Sequence, residues 1–186
     1  MKNRSIDVLL GSVFLILTLA FIVLTMTNTP FFNWVFERHH NLWSWYLRPL
    51  FLLPFCFFAY KRSFTGMMFS IFALFTSMFW FPKPELTSQS VVDFLAFEKE
   101  YLNGQWDMIK IMVTLTIPLS FIALGLSFWK RSFIMGIGVL ILMAAGKIVW
   151  SIENAGTSGK SILIPAIVGL LICCAIIHFG FKRLKK

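Results

Sequence analysis

The chain has 186 residues, of which 58% are hydrophobic, 17% aromatic and only 13% charged, with a net charge of +9. Its mean hydropathy of +0.79 is far from what a soluble domain needs to build a core, so the composition excludes a soluble enzyme and predicts a membrane protein. The pI near 9.8 does not signal nucleic acid, because the cations are spread over short segments beside apolar runs and form no groove.

Six apolar stretches approach the roughly 20 residues that a bilayer core demands of a helix. They are Val8 to Met26, Leu42 to Tyr60, Ser63 to Phe81, Met108 to Trp129, Ser132 to Trp150 and Ile162 to Phe181. The expected class is an all-α membrane protein with six transmembrane helices. The first stretch follows Lys2 and Arg4 as the core of a signal peptide would. It is too long for one, and no small-residue cleavage site follows, so it reads as a retained helix.

After it comes "WVFERHHNLWSW" (34–45), with Glu37, His39 and His40 close together. No metal site is expected, since zinc needs three or four converging ligands and the remaining histidine, His178, lies near the far end of the last stretch. Arg48 sits inside the second stretch beside Pro49, with Glu37 as the nearest acid in sequence. That stretch ends "YKRSF" (60–64), the fourth ends "WKRSF" (129–133), and the last carries "FKR" (181–183). An aromatic at headgroup depth and two cations at a helix C-terminus suit both the interface and the helix dipole. Pro49-Leu50 also recurs as Pro118-Leu119, and "WVFER", "LAFEK" (95–99) and "WSIEN" (150–154) echo one another. These echoes predict three parallel helical hairpins, 1–62, 63–131 and 132–186, related about the membrane normal. The competing explanation is that interfacial composition alone generates such short matches.

With six crossings the loops fall into two sets. One holds Lys2, Arg4, Lys61, Arg62, Lys130, Arg131, Lys182, Arg183, Lys185 and Lys186 against the single acid Asp7. The other holds Arg38, Arg48, Lys83, Lys99, Lys110, Lys147 and Lys160 against Glu37, Glu85, Asp93, Glu98, Glu100, Asp107 and Glu153. The excess of cations on one side places that side, with both termini, in the cytoplasm of a bacterial inner membrane.

Between the third and fourth stretches, residues 90–103 predict an amphipathic interfacial helix. Ser90 and Asp93 suggest a capping box and Asn103-Gly104 a left-handed stop. At about 100° per residue, Val91, Phe94, Leu95, Phe97, Tyr101 and Leu102 form one apolar arc, opposite Asp93 and Glu100. Glu98 falls within that arc. A carboxylate turned toward an apolar surround must find a partner or a proton, and the candidates are Arg48, Lys110 and Lys147. Cβ atoms tilt toward a helix N-terminus, so Arg48 and Lys110, near the starts of their helices, lean toward water. Lys147, near the end of its helix, leans inward and is expected to pair with Glu98 or Glu153.

Glu37, Arg48, Glu98, Lys110, Lys147 and Glu153 are thus the candidate binding residues of an outward vestibule for a small cation or polar solute. The plainer alternative is that they pin loops onto the bundle. Trp34, Trp43, Trp45, Trp80, Trp106 and Trp150 predict an aromatic belt or rim on the same side. Catalysis has thin support: the chain lacks the zinc, nucleophile-turn and phosphate-loop motifs, and Ser132, Thr157 and Ser161 have no evident base. An accessory subunit docking a partner through the amphipathic helix, or a lipid-modifying enzyme using Glu37, His39 or His40, are the other functions considered. No cofactor is expected. Cys56, Cys173 and Cys174 all lie in apolar stretches and read as packing residues. Gly169 with Cys173, and Gly136, Gly138 and Gly146, predict close helix contacts, either internal or with a partner subunit. Membrane lipids are the other expected partner.

Overall fold

The computed structural model describes residues 4–184, with side chains described through Gly180. Among these residues the regular structure is entirely helical: α1 (Arg4–Thr27), α2 (Thr29–His39), α3 (Leu42–Leu50), α4 (Leu52–Tyr60), α5 (Phe64–Thr76), α6 (Gln89–Asn103), α7 (Met108–Trp129), α8 (Phe133–Gly159) and α9 (Leu163–Leu184). Four segments are long and apolar enough to cross a membrane: Arg4–Thr27, Leu42–Tyr60, Met108–Trp129 and Phe133–Gly180. This count differs from the six expected, for two physical reasons. The third stretch forms only the 13 residues of α5 and a three-residue 3-10 turn, Ser77–Phe79, which together reach roughly 25 Å against a bilayer core of about 30 Å. The fifth and sixth stretches form one helical run, interrupted at Gly156, whose φ of 57° and ψ of −129° are non-helical. Leu140 and Cys173 flank that break at nearly equal distances in sequence and share one core cluster. The run therefore folds back on itself as an antiparallel pair.

Local sequence explains most of the boundaries. In α1 the hydroxyls of Thr18, Thr25 and Thr27 each donate to the carbonyl four residues back, which satisfies them without leaving the helix. Asn28 ends α1 and starts α2: its side chain accepts from the Phe31 amide at 2.9 Å, with Pro30 in the first turn. Both are N-terminal helix signals, and the segment read as a loop from the sequence is helical because of them. The second stretch bends at Phe51, between Pro49 and Pro54, where Pro54 has no amide hydrogen to give the Leu50 carbonyl.

The strings "YKRSF" and "WKRSF" fold alike. In the first, the Ser63 amide donates to Phe58 O and the Arg62 amide to Ala59 O; in the second, Ser132 donates to Ser127 O and Arg131 to Phe128 O. Both are Schellman turns, with Arg62 (φ 54°) and Arg131 (φ 60°) in the left-handed position that glycine usually fills. They differ at the start of the next helix. Asp7 of α1 closes the first turn of α5, accepting from the Phe64 amide at 2.8 Å, Ser63 Oγ at 3.1 Å and the Thr65 amide at 3.3 Å. A carboxylate there meets both the free amides and the positive end of the helix dipole. The acid that the charge pattern left alone among cations is thus a buried cap joining α1 to α5. The third string, 181–183, lies within α9, which continues to Leu184.

Two apolar clusters organise the packing. One, toward the basic turns, gathers Phe55, Cys56, Ala59, Tyr60, Leu124, Phe128, Leu140, Cys173 and Ile177. The other gathers Phe32, Phe36 and Trp45 with Val91, Phe94 and Leu95 of α6. The amphipathic helix therefore lies on the bundle with its apolar arc buried, as its spacing implies. Its ends are not built as expected. Ser88, not Ser90, is the N-cap residue and makes no side-chain cap bond; its hydroxyl lies 3.3 Å from Ser90 Oγ, and Asp93 accepts from Gln89 Nε2. Gly104 is extended (φ −70°, ψ 175°) rather than left-handed. The small face of α9 is internal: Gly169 abuts the Pro49 ring, where an added Cβ would come within 2.6 Å of Pro49 Cβ, and the Cys173 thiol lies 3.4 Å from Pro49 O. Gly136 lies under the Phe128 ring, whereas Gly138 and Gly146 face open space.

Candidate functional site

At the α6 end of the bundle, two of the expected charges meet as a close pair. Lys147 Nζ of α8 lies 2.6 Å from Glu98 Oε1 of α6. The Glu98 side chain is 17% exposed and that of Lys147 is 42% exposed, so the acid is the more enclosed partner. The lysine ammonium also sits 4.6 Å from the Trp150 ring and 5.4 Å from the Phe94 ring, which holds it over aromatic faces.

Beneath this pair lies a chain of polar contacts that the sequence did not announce. Arg48 Nη1 donates to His39 Nε2 at 3.2 Å; His39 Nδ1 lies 2.9 Å from Ser44 Oγ, and Ser44 Oγ donates to Asn41 O at 2.8 Å. Because arginine can only donate and the serine hydrogen is committed to a carbonyl, His39 must be the neutral tautomer with its hydrogen on Nδ1. Burial, then the neighbouring Arg48, Lys147 and His40, hold the His39 pKa well below its ordinary value, in agreement with that tautomer. The ring is further enclosed by Trp45, whose Nε1 donates to His39 O at 2.9 Å, and by Phe36. The two groups of contacts are joined by charge, since Arg48 lies within electrostatic reach of Glu98 and His39 of Lys147. Ser151 Oγ, one helical turn beyond Lys147 on α8, is buried with no hydrogen-bond partner among the described residues.

The remaining candidates go elsewhere. Glu37 pairs with Lys83 at 3.5 Å, both well exposed, so it is not the partner of Arg48. These two residues line a surface cleft of about 330 Å³ with His40, Pro84, Glu85, Thr87 and Val92, which contains neither Glu98 nor Glu153. Glu153 is exposed, with no cation at salt-bridge distance among the described residues. The three glutamates therefore do not line one vestibule. Lys110 does not lean toward water. It is buried, donates to the carbonyls of Tyr101, Gly104 (3.1 Å) and Gln105 (3.4 Å), and lies over the Tyr101 and Trp106 rings. It closes the C-terminus of α6, as a cation at the negative end of a helix should.

Of the six tryptophans expected in the belt, Trp34, Trp43, Trp80 and Trp106 are exposed, as a belt requires. Trp45 is 4% exposed and belongs to the core, while Trp150 packs against Tyr101 and Phe97 of α6. The adjacent histidines diverge, with His40 Nδ1 turned to Phe36 O at 2.8 Å, and no group of three metal-ligating side chains converges among the described residues. Asn41, the N-cap of α3 whose side chain accepts from the Trp43 amide, is the one local signal for the turn that swings His39 over Ser44. Comparison with protein-family models, with curated proteins and with solved structures returns no match for this chain.

Proposed function

We propose that the chain is a six-pass inner-membrane protein with both termini in the cytoplasm, built from three helical hairpins, that binds a small polar solute beneath α6 and moves it across the membrane. The single observation that carries this reading is the convergence of His39, Ser44, Arg48, Glu98 and Lys147 from four helices. Enclosing so many polar and charged groups costs more than an apolar core of the same volume would, and ionisable groups in a membrane bundle mark ligand paths. The unpartnered Ser151 hydroxyl adds a polar group on the Lys147 side of α8. The charges narrow the solute. With His39 neutral, Arg48 and Lys147 outnumber Glu98, so a carboxylate-bearing or zwitterionic solute suits the cluster better than a simple cation.

The other functions fare worse. The apolar arc of α6 is spent on the bundle, which leaves Asp93 and Glu100 rather than a hydrophobic face for a partner subunit. Ser44, the hydroxyl that His39 contacts, is wholly buried and out of reach of a lipid ester. The test is uptake of radiolabelled amino acids and small carboxylates into proteoliposomes. Glu98→Gln and Lys147→Met are expected to abolish uptake while the thermal midpoint stays nearly unchanged. If uptake and stability fall together, the pair only pins α6.

A further inference from the structure

The opposite end of the molecule carries a second arrangement, independent of the solute site. The two basic turns lie side by side: the Arg131 guanidinium sits 4.9 Å from the centre of the Tyr60 ring, and Tyr60 in turn contacts Phe133, with ring centres 5.8 Å apart. This places Lys61, Arg62, Lys130 and Arg131 around one patch. All four are exposed or partly exposed, and among the described residues none has an acid at salt-bridge distance. Arg62 and Arg131 hold left-handed backbone conformations that glycine would adopt at less cost, so a cation is present at each turn despite local strain.

A groove of about 490 Å³ begins beside this patch. Ser63 and Thr65, just past Arg62, line it together with mostly apolar walls that include Leu10, Phe14, Phe58 and Phe69. Asp7 also lines it, but its carboxylate is already engaged by the start of α5. Cations beside an apolar groove on a membrane-embedded surface match a molecule with an anionic head and a hydrocarbon tail. A free phosphate would leave the groove unused, and a neutral lipid would leave the four cations unused.

We propose that this end binds one anionic phospholipid, with its phosphate among Lys61, Arg62, Lys130 and Arg131 and an acyl chain in the groove between α1 and α5. Native mass spectrometry of the full chain in mild detergent tests it, with titration by phosphatidylglycerol, by phosphatidylcholine of the same acyl chains, and by glycerol phosphate. One phosphatidylglycerol should be retained in preference to both others. Lys61→Gln, whose side chain only overhangs the Phe57 ring, should weaken retention about fivefold, the equivalent of about 1 kcal/mol for one cation at a membrane surface. Arg131→Gln should do at least as much, and Leu10→Trp, which fills the groove, should weaken lipid retention without changing the response to glycerol phosphate. Lys83→Gln, at the other end, should have no effect. Equal retention of the two lipids, equal binding of glycerol phosphate, or equal loss in Lys61→Gln and Lys83→Gln would each overturn the proposal. The lipid comparison on the unaltered chain decides it even where a variant fails to fold.

Discussion

The two ends of the bundle handle charge in opposite ways. At the basic-turn end, helix termini are made by short-range rules, cations stay in the open, and the one described acid, Asp7, is consumed as a cap. At the α6 end, Glu98 and Lys147 from helices far apart in sequence pair with one another, and Arg48 donates to the neutral His39. The first end is built by local backbone turns with one long-range cap from Asp7, the second by pairing between side chains of different helices. A charge near a helix terminus can be satisfied by that terminus, whereas a charge carried by the apolar face of a helix has to find another side chain.

The largest effect on this contrast belongs to Asp7. Asp7→Ala strands the Ser63 hydroxyl and the Phe64 and Thr65 amides in a mostly buried place and should cost about 2–3 kcal/mol, seen as a lower thermal midpoint in detergent. Ser132→Ala in the second turn, where the side chain makes no cap bond, should cost far less. Equal losses would erase the difference between the turns.

Next in size is the pH response of His39. Its folded pKa is depressed, so on acidification the unfolded chain takes up a proton that the folded chain refuses. Its contribution is therefore present above the ordinary histidine pKa of about 6.5 and is lost as pH falls below it, by up to about 1.4 kcal/mol per pH unit. The thermal midpoint should drop between pH 7.5 and 5.5, and His39→Gln should lose most of that drop. An unchanged drop would place the titrating group elsewhere.

Smaller effects sharpen the same contrast. Glu98→Gln should cost only about 0–1 kcal/mol, because its partner Lys147 remains well exposed. A loss as large as that of Asp7→Ala would make the pair a structural clamp. The smallest and only favourable change is Arg62→Gly or Arg131→Gly, each expected to raise stability by roughly 0.5–1 kcal/mol by relieving the left-handed strain. A decrease would mean that the arginine side chain contributes more than the backbone strain removes.

The amphipathic helix was legible from its arc, and the tilt of Lys147 narrowed its partner to Glu98 or Glu153, whereas the same tilt rule failed for Lys110, which turns back to close α6. The bend beside Pro49 and the paired turns at 60–64 and 129–133 are equally local. The helix at Thr29–His39 was legible in principle, from Asn28 and Pro30, but its mixed polarity concealed it. The fate of Arg48 was not. Its contact with His39 depends on how the Asn41 turn angles two short helices, and sequence proximity pointed to Glu37 instead.

By itself the sequence determined that this chain is apolar helix nearly throughout, where cations collect, and which carboxylate needs a counterpart, because composition, periodicity and desolvation act on each segment separately. Only the tertiary structure decided that α5 ends at Thr76, that Asp7 caps its start, that Lys110 closes α6, and that His39 stands between Ser44 and Arg48. These outcomes depend on which helix ends meet in space, and such meetings are set by packing between segments that carry no mark of one another.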